Sequence, residues 1–408
     1  MRNKILTIDK LYLLALLAVS LSFFNYMPIA SYLRQNLFFF LSFFYILIRC
    51  NGYIGAIAVR SRFGKDLIWL IIGYSITIFF SIFFWNQPVL DAIFINLSNI
   101  TMVFLYFYFI RINIAEEKII KALVICTIIW TAIEWGQQLT YPSYWFCGRV
   151  DDENGIEERM GLWRFYIAGV HLAIIVLIYY LDRFVQFPEK RRYNFLMYAI
   201  AMIGIIGFVS RKQIYAAILV SILAFIMIKG KYRIFVILLL LAASVYGIRE
   251  LSVLMTDLNE KTVDELTNDD FIRYVATKYF LFDFSDSPIY YLFGTGSARE
   301  NTSVEQAYTY LMDMYGFYTS DCGVFGFAAH YGWVNVLLFF VPMFRIIGNW
   351  KRILLWHKLY LIYFGVMLNM AFWGNSRMGY LSFIIYLYLV DKHLQNGTYN
   401  VPKKLSSL

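Results

Sequence analysis

The sequence predicts an all-α fold, a polytopic membrane helix bundle of about twelve transmembrane helices. Three observations carry this. Of 408 residues, 60% are hydrophobic and only 15% are charged, against about 25% charged in an ordinary soluble domain. Apolar runs long enough to cross about 30 Å of hydrocarbon recur along most of the chain. Lysine and arginine gather at alternate ends of those runs. Together these features exclude a soluble enzyme, a disordered chain and a disulfide-stapled secreted domain.

The runs span about 11–30, 35–58, 67–85, 91–110, 119–139, 163–181, 193–209, 213–228, 233–248, 323–344, 354–372 and 378–390. Arg2 and Lys4 resemble the start of a signal peptide, but no small-residue cleavage site follows, so the first run is expected as a retained helix. Arg49 and Gly52 interrupt the second run. Only Ser210-Arg211-Lys212 separates the seventh from the eighth, which reads as a helical hairpin.

Placing the N-terminus in the cytoplasm puts 24 of the 36 basic residues, but only seven of the 27 acidic ones, at cytoplasmic ends. Every cytoplasmic connection is then basic. The pattern predicts an even span count, both termini in the cytoplasm and a bacterial inner-membrane location. The net charge of +9 is therefore a topology signal. No nucleic-acid partner is expected, because no basic cluster lies on polar surface. Cys50, Cys126, Cys147 and Cys322 have neither metal nor redox spacing and read as small buried hydrophobes.

Three regions follow. Residues 1–248 hold the first nine helices with a short outer loop at 140–162. Residues 249–322 form a large periplasmic loop between the ninth and tenth helices. Residues 323–408 hold the last three helices and a cytoplasmic tail. Long loops in a tight bundle usually carry function. This one should be partly helical. Residues 256–282 turn amphipathic, with Phe271, Tyr274, Val275 and Lys278 at helical spacing. The stretch from Asp283 to Pro288 breaks the chain, and Gly294-Thr295-Gly296 makes a tight turn. Thr302-Ser-Val-Glu305 is a capping box that should open a helix running to about Tyr315. Tyr308, Tyr310, Tyr315 and Tyr318 suit a membrane–water interface. The loop is either a lid over the bundle or a lid that binds a ligand at the outer leaflet. Internal repeats are absent, as are the paired broken helices of many secondary transporters.

Arginines on the predicted outer face stand out: Arg149, Arg159, Arg164, Arg211, Arg273, Arg299 and Arg377. A guanidinium stays protonated and presents a fork of donors that suits phosphate oxygens. Each alone also fits an interfacial snorkel or an ion pair with nearby acids. Their joint occurrence suits a lipid pyrophosphate.

Three blocks of residues within 159–335 resemble the superfamily of O-antigen polymerases and O-antigen ligases. Ser210-Arg211, heading an apolar helix, resembles that family's Ser-Arg pair. Arg273, then Pro288, then Gly294-Thr295-Gly296 resembles its Arg, Pro and Gly-x-Gly in the large loop. Asp321 to Gly332 resembles the end of that loop as it enters the next helix. Arg159-Met160-Gly161 is similar to an Arg-x-Gly that precedes an earlier helix. Ligases carry a histidine eleven residues before the glycine of the third block. Here that position is Asp321, and His330 comes nine residues later. The departure favours a polymerase.

The resemblance implies a GT-C-like membrane glycosyltransferase that needs no cofactor. Its donor would be a growing glycan on a polyprenyl pyrophosphate, and its acceptor one repeat unit on its own polyprenyl pyrophosphate. Arg159, Arg164, Arg211, Arg273 and Arg299 would neutralise the leaving pyrophosphate. Asp321 would be the base, with Glu134 and Asp313 as alternatives. No Asp-x-Asp or histidine cluster points to a metal. Membrane lipid and a chain-length regulator protein are the expected partners. A ligase, a flippase for lipid-linked oligosaccharide and an assembly scaffold remain as other readings.

Overall fold

The computed structural model describes residues 7–21, 31–143, 157–159, 161–165, 167–227, 272–297, 302–369 and 372–396. The described chain is almost entirely helical, as the composition requires. α1 (Thr7–Ser20) and α2 (Ser31–Cys50) come first, then the short α3 (Ile54–Arg60). The axes of α2 and α3 differ by 74°. The break falls at Asn51 and Gly52, both at positive φ (49° and 71°). The interruption at Gly52 is thus a true corner, made where only Gly or Asn sits without strain.

α4 (Gly64–Phe83), α5 (Val89–Ile112) and α6 (Glu116–Thr140) follow as long helices. The sixth apolar run was expected to begin a helix near 163. Instead, β1 (Glu157–Arg159) and β2 (Leu162–Arg164) form an antiparallel hairpin, and α7 (Val170–Gln186) starts later. Gly161, at φ 69°, lies at the turn end of the hairpin, next to the terminal pair Arg159 and Leu162. Trp163 fixes the hairpin to α6: its ring stacks on Tyr141 at 4.1 Å, and its N–H donates to Gln138 at 2.9 Å.

α8 (Arg191–Gly207) packs along α7 and α6, and α9 (Arg211–Met227) follows across the predicted Ser210 turn. The ninth run, 233–248, and the cysteine at 147 lie outside the described residues, as does Arg149. The final helices are α13 (Gly323–Gly348), α14 (Leu355–Met367) and α15 (Arg377–Asn396). Before them come α10 (Ile272–Lys278), α11 (Pro288–Phe293) and α12 (Ser303–Tyr315) of the large connection. Among the described residues, four helices are long and apolar enough to cross a membrane, or up to six if two bent pairs each count as one span.

The middle of α5, α7 and α15 is buried almost without interruption and forms the axis of the bundle. Outer helices bury one face and leave apolar residues outward, such as Trp69, Phe79 and Phe83 on α4 or Ile125 and Ile128 on α6. An apolar exterior around a packed apolar interior is the arrangement that lipid demands.

One end of the bundle gathers the helix ends predicted to share a side. Asp9 is fully buried and takes a two-pronged bond from Arg49 at 2.7 and 2.9 Å, with Tyr45 and Tyr108 also donating. Arg345 holds Asp66 the same way, with both bonds at 2.8 Å. Asp391 accepts from Tyr106 at 2.6 Å and from the Arg62 N–H at 3.4 Å. Lys392 donates to the Ile114 carbonyl, and His393 contacts the Arg352 carbonyl at 3.1 Å. Buried carboxylates of this kind persist only when they are paired.

Candidate functional site

The opposite end is built around a break in a helix. α13 runs through Gly332, whose φ of 76° and ψ of 164° are not helical. The break frees the Tyr331 carbonyl, which Asn335 Nδ2 and Thr77 Oγ1 then bond at 2.6 and 3.3 Å. Such a break is tolerated at membrane depth only where side chains re-satisfy the backbone or a cavity adjoins it. Both conditions hold here.

The predicted Gly294-Thr295-Gly296 turn crosses this break, backbone on backbone. Thr295 N–H donates to the Ala329 carbonyl at 3.1 Å, and Gly296 N–H to the His330 carbonyl at 2.7 Å. A Cβ at Gly294 would lie 2.4 Å from the His330 backbone, and one at Gly332 would lie 2.2 Å from the Leu292 oxygen. The two glycines thus serve as the contact surface of the crossing. α4 and the segment after it clamp the turn from below: Ser81 Oγ donates to Thr295 O at 2.9 Å, Gln87 to the same oxygen at 3.1 Å, and Trp85 to Gly294 O at 3.2 Å.

The described helices of the large connection pack beside this crossing. Thr302 caps α12 by accepting from the Glu305 N–H at 3.2 Å, and the helix ends at Tyr315 as the capping box predicts. α10 falls within the stretch expected to turn amphipathic and loosens into a wider turn over Tyr279–Asp283; the part of 256–282 before residue 272 lies outside the described residues. Phe280, Phe284, Tyr290 and Tyr308 stack into a second, aromatic core separate from that of the bundle.

A cavity of about 350 Å³ opens beside the crossing. Four stretches of chain wall it: Ser98 and Asn99 on α5, Ser297 after the glycine turn, Thr319 and Ser320 before α13, and Gly374, Ser376 and Arg377 where α15 begins. His330 and Tyr331 complete it from the helix break. His330 Nε2 lies 3.0 Å from Thr319 Oγ1. The Tyr331 hydroxyl meets Ser297 Oγ at 2.6 Å and accepts from Asn99. The Arg377 guanidinium donates to Asn36 at 3.3 Å and lies 5.3 Å over the Phe39 ring.

The predicted site residues fall into three groups. Arg273 and Asp321 come together, with Nε 3.8 Å from Oδ2, on adjoining elements; neither lines the cavity, which Ser320, next to Asp321, faces. Both side chains are about half exposed. Arg159 and Arg164 share the β hairpin on α6, and Arg164 is half-buried there opposite Glu157. Arg211 opens α9, half-buried, after the fully turned Val209 and the buried Ser210. Neither the hairpin arginines nor Arg211 line the cavity. Arg299 lies outside the described residues. Of the alternative bases, Glu134 is fully buried within α6 and Asp313 is exposed on α12.

Arg377 and His330 are the cavity's basic side chains, and neither was in the predicted site set. For Arg377 a signal existed, since it is one of the outer arginines. Its helix start, Ser376-Arg377, repeats the Ser-Arg pattern of Ser210-Arg211. His330 lies among apolar residues, and nothing in the sequence places it beside a break. Comparison with family models, with curated proteins and with solved structures gives no match for this chain.

Proposed function

We propose that the chain is a membrane glycosyltransferase that polymerises polyprenyl-pyrophosphate-linked oligosaccharide repeat units into a surface polysaccharide, O-antigen or capsule, at the periplasmic face of the bacterial inner membrane. The observation that carries this reading is the Arg273–Asp321 pair, 3.8 Å apart, in which Asp321 is next in sequence to Ser320, which lines a polar cavity in an otherwise apolar bundle. Glycosyl transfer from a lipid pyrophosphate needs two things at one point. A carboxylate must take the proton of the attacking sugar hydroxyl, and a cation must meet the charge that develops on the leaving pyrophosphate. A paired Arg and Asp supplies both. In the proposed step the acceptor hydroxyl attacks the anomeric carbon of the donor. The bond to the pyrophosphate oxygen breaks, the pyrophosphate leaves with its lipid, and Asp321 receives the hydroxyl proton. Arg211 and the hairpin arginines serve the diphosphate at the lipid side in this reading.

The test is a purified-protein assay with lipid-linked repeat units, read as a polymer ladder. Arg273→Ala and Arg211→Ala should abolish long chains while the protein stays in the membrane. A normal ladder in either variant removes that arginine from the site, and wild-type chain length in Asp321→Asn removes the base. Translocation of the lipid-linked unit without any bond formation would identify a flippase. A second reading, ligation of finished glycan to a lipid-A core or protein, draws on His330 at the cavity wall. A deletion strain separates the two: loss of a polymerase leaves single capped units, and loss of a ligase leaves none.

A further inference from the structure

The cavity wall has a composition that the pyrophosphate chemistry does not explain. Six of its side chains are hydroxyls, from Ser98, Ser297, Thr319, Ser320, Tyr331 and Ser376, and a seventh is the amide of Asn99. Hydroxyls and amides both donate and accept. A pyrophosphate only accepts, so half of that capacity would be wasted on it. A sugar ring, whose hydroxyls also donate and accept, uses all of it. The described lining includes no carboxylate, and its one permanent charge is the Arg377 guanidinium. That group lies over the Phe39 ring and donates to Asn36, so it has partners in the protein before any ligand arrives. A volume of about 350 Å³ lies at the small end of ligand sites, large enough for one or two sugar residues and too small for a whole repeat unit with its lipid.

We propose that this cavity holds one acidic sugar residue of the glycan, a uronate, with its hydroxyls on the Ser98–Asn99 and Ser297 wall and its carboxylate on Arg377. The inference rests on the reading of the chain as acting on lipid-linked glycan, and it names the substrate class that this enzyme would select. Asn99 and Tyr331 are bonded to one another, and Tyr331 to Ser297, so the polar wall is already ordered. Recognition of the carboxylate then falls to a single cation, which makes the preference for an acidic sugar separable from affinity for the sugar ring.

The experiment measures binding of the full-length protein in lipid nanodiscs, without turnover. The probes are synthetic polyprenyl-pyrophosphate disaccharides ending in glucuronate or galacturonate, their reduced counterparts ending in glucose or galactose, and polyprenyl pyrophosphate without sugar. The wild type should bind at least one uronate about tenfold or more tighter than its neutral counterpart. Arg377→Gln should remove that preference while changing the neutral sugars and the bare lipid by no more than about twofold. Asn99→Asp, nearly isosteric, should also weaken the uronate selectively by placing a like charge beside it. Equal binding of uronates and neutral sugars by the wild type overturns the proposal. So does an Arg377→Gln variant that loses all probes alike, which would assign Arg377 to the pyrophosphate or to the fold. A second assay, with turnover of the same probes, separates the two readings: if the uronate preference appears but no probe is ever polymerised, the polymerase reading falls and the cavity assignment stands. If the probes are polymerised without preference, the reverse holds.

Discussion

The backbone of Gly294 rests directly on the backbone of His330, so close that a single added carbon would sit 2.4 Å from the His330 carbonyl carbon. Gly294 and Gly332 both hold positive φ, at 70° and 76°. Gly294→Ala and Gly332→Ala should therefore each lower stability by about 1–3 kcal/mol, from strain and steric displacement together. Thermal unfolding in detergent, followed by intrinsic fluorescence, checks this. Gly136→Ala and Gly365→Ala, where an added carbon meets nothing within 4 Å, are the controls and should leave the midpoint nearly unchanged.

The freed carbonyl of Tyr331 depends on Asn335, which bonds both that oxygen at 2.6 Å and Thr77 at 2.9 Å. Asn335→Leu has similar volume but removes the donors. It should cost about 1–3 kcal/mol by stranding a buried acceptor. Thr77→Val leaves Asn335 on that carbonyl but strands the Phe293 carbonyl, to which Thr77 donates at 2.9 Å, so it should cost a similar amount. If both variants unfold like the wild type, the break is held by other contacts.

The Arg273–Asp321 pair is half-exposed, so its contribution to stability should be small, below about 1 kcal/mol. Exchange of the two residues, Arg273→Asp with Asp321→Arg, keeps an ion pair but inverts its polarity. The exchanged protein should unfold at the wild-type temperature and make no polymer. Recovery of the ladder in the exchanged protein would show that the pair is only structural.

Asp391 sits past the apolar run 378–390, at the basic end. Burial raises its carboxyl above the ordinary value, outweighing the lowering by Tyr106, Gln395 and Arg62. A raised folded value means that its stabilising contribution is complete below the unfolded value of about 3.9 and is lost as pH rises through the folded one. Asp391→Asn should accordingly raise the unfolding midpoint at pH 7–8, with the gain fading toward pH 4. A gain that persists unchanged at pH 4 would mean that ionisation is not the cause.

Much of the helical framework was legible because each signal was local. Thr302 and Glu305 fix the start of α12 by their own spacing, and Gly52 marks the α2–α3 corner inside an apolar run. The charge pattern puts a few acids among basic helix ends, and there Asp9 and Asp66 are paired with Arg49 and Arg345 while Asp391 accepts from Tyr106. The β hairpin was missed because Leu162 to Gly169 is apolar enough to pass for a helix, and a two-residue turn leaves little trace in an apolar count. The cavity was illegible for a different reason. Asn99, Ser297, His330 and Arg377 come from distant segments, and each alone is an ordinary polar residue in an apolar stretch. Tertiary packing beside the helix break at Gly332 brings them together, and a lone glycine carries no periodicity to announce such a break.

That break also determines what kind of recognition the chamber can offer. Its inner wall is a carbonyl gripped by two side chains and a helix overlain by another strand of backbone at near-contact distance. Such a wall has no slack and cannot re-form around a larger guest. Under the proposed sugar assignment it would work as a mould rather than a glove: the cost of ordering is met during folding, and a sugar with one misplaced substituent would meet the full steric penalty.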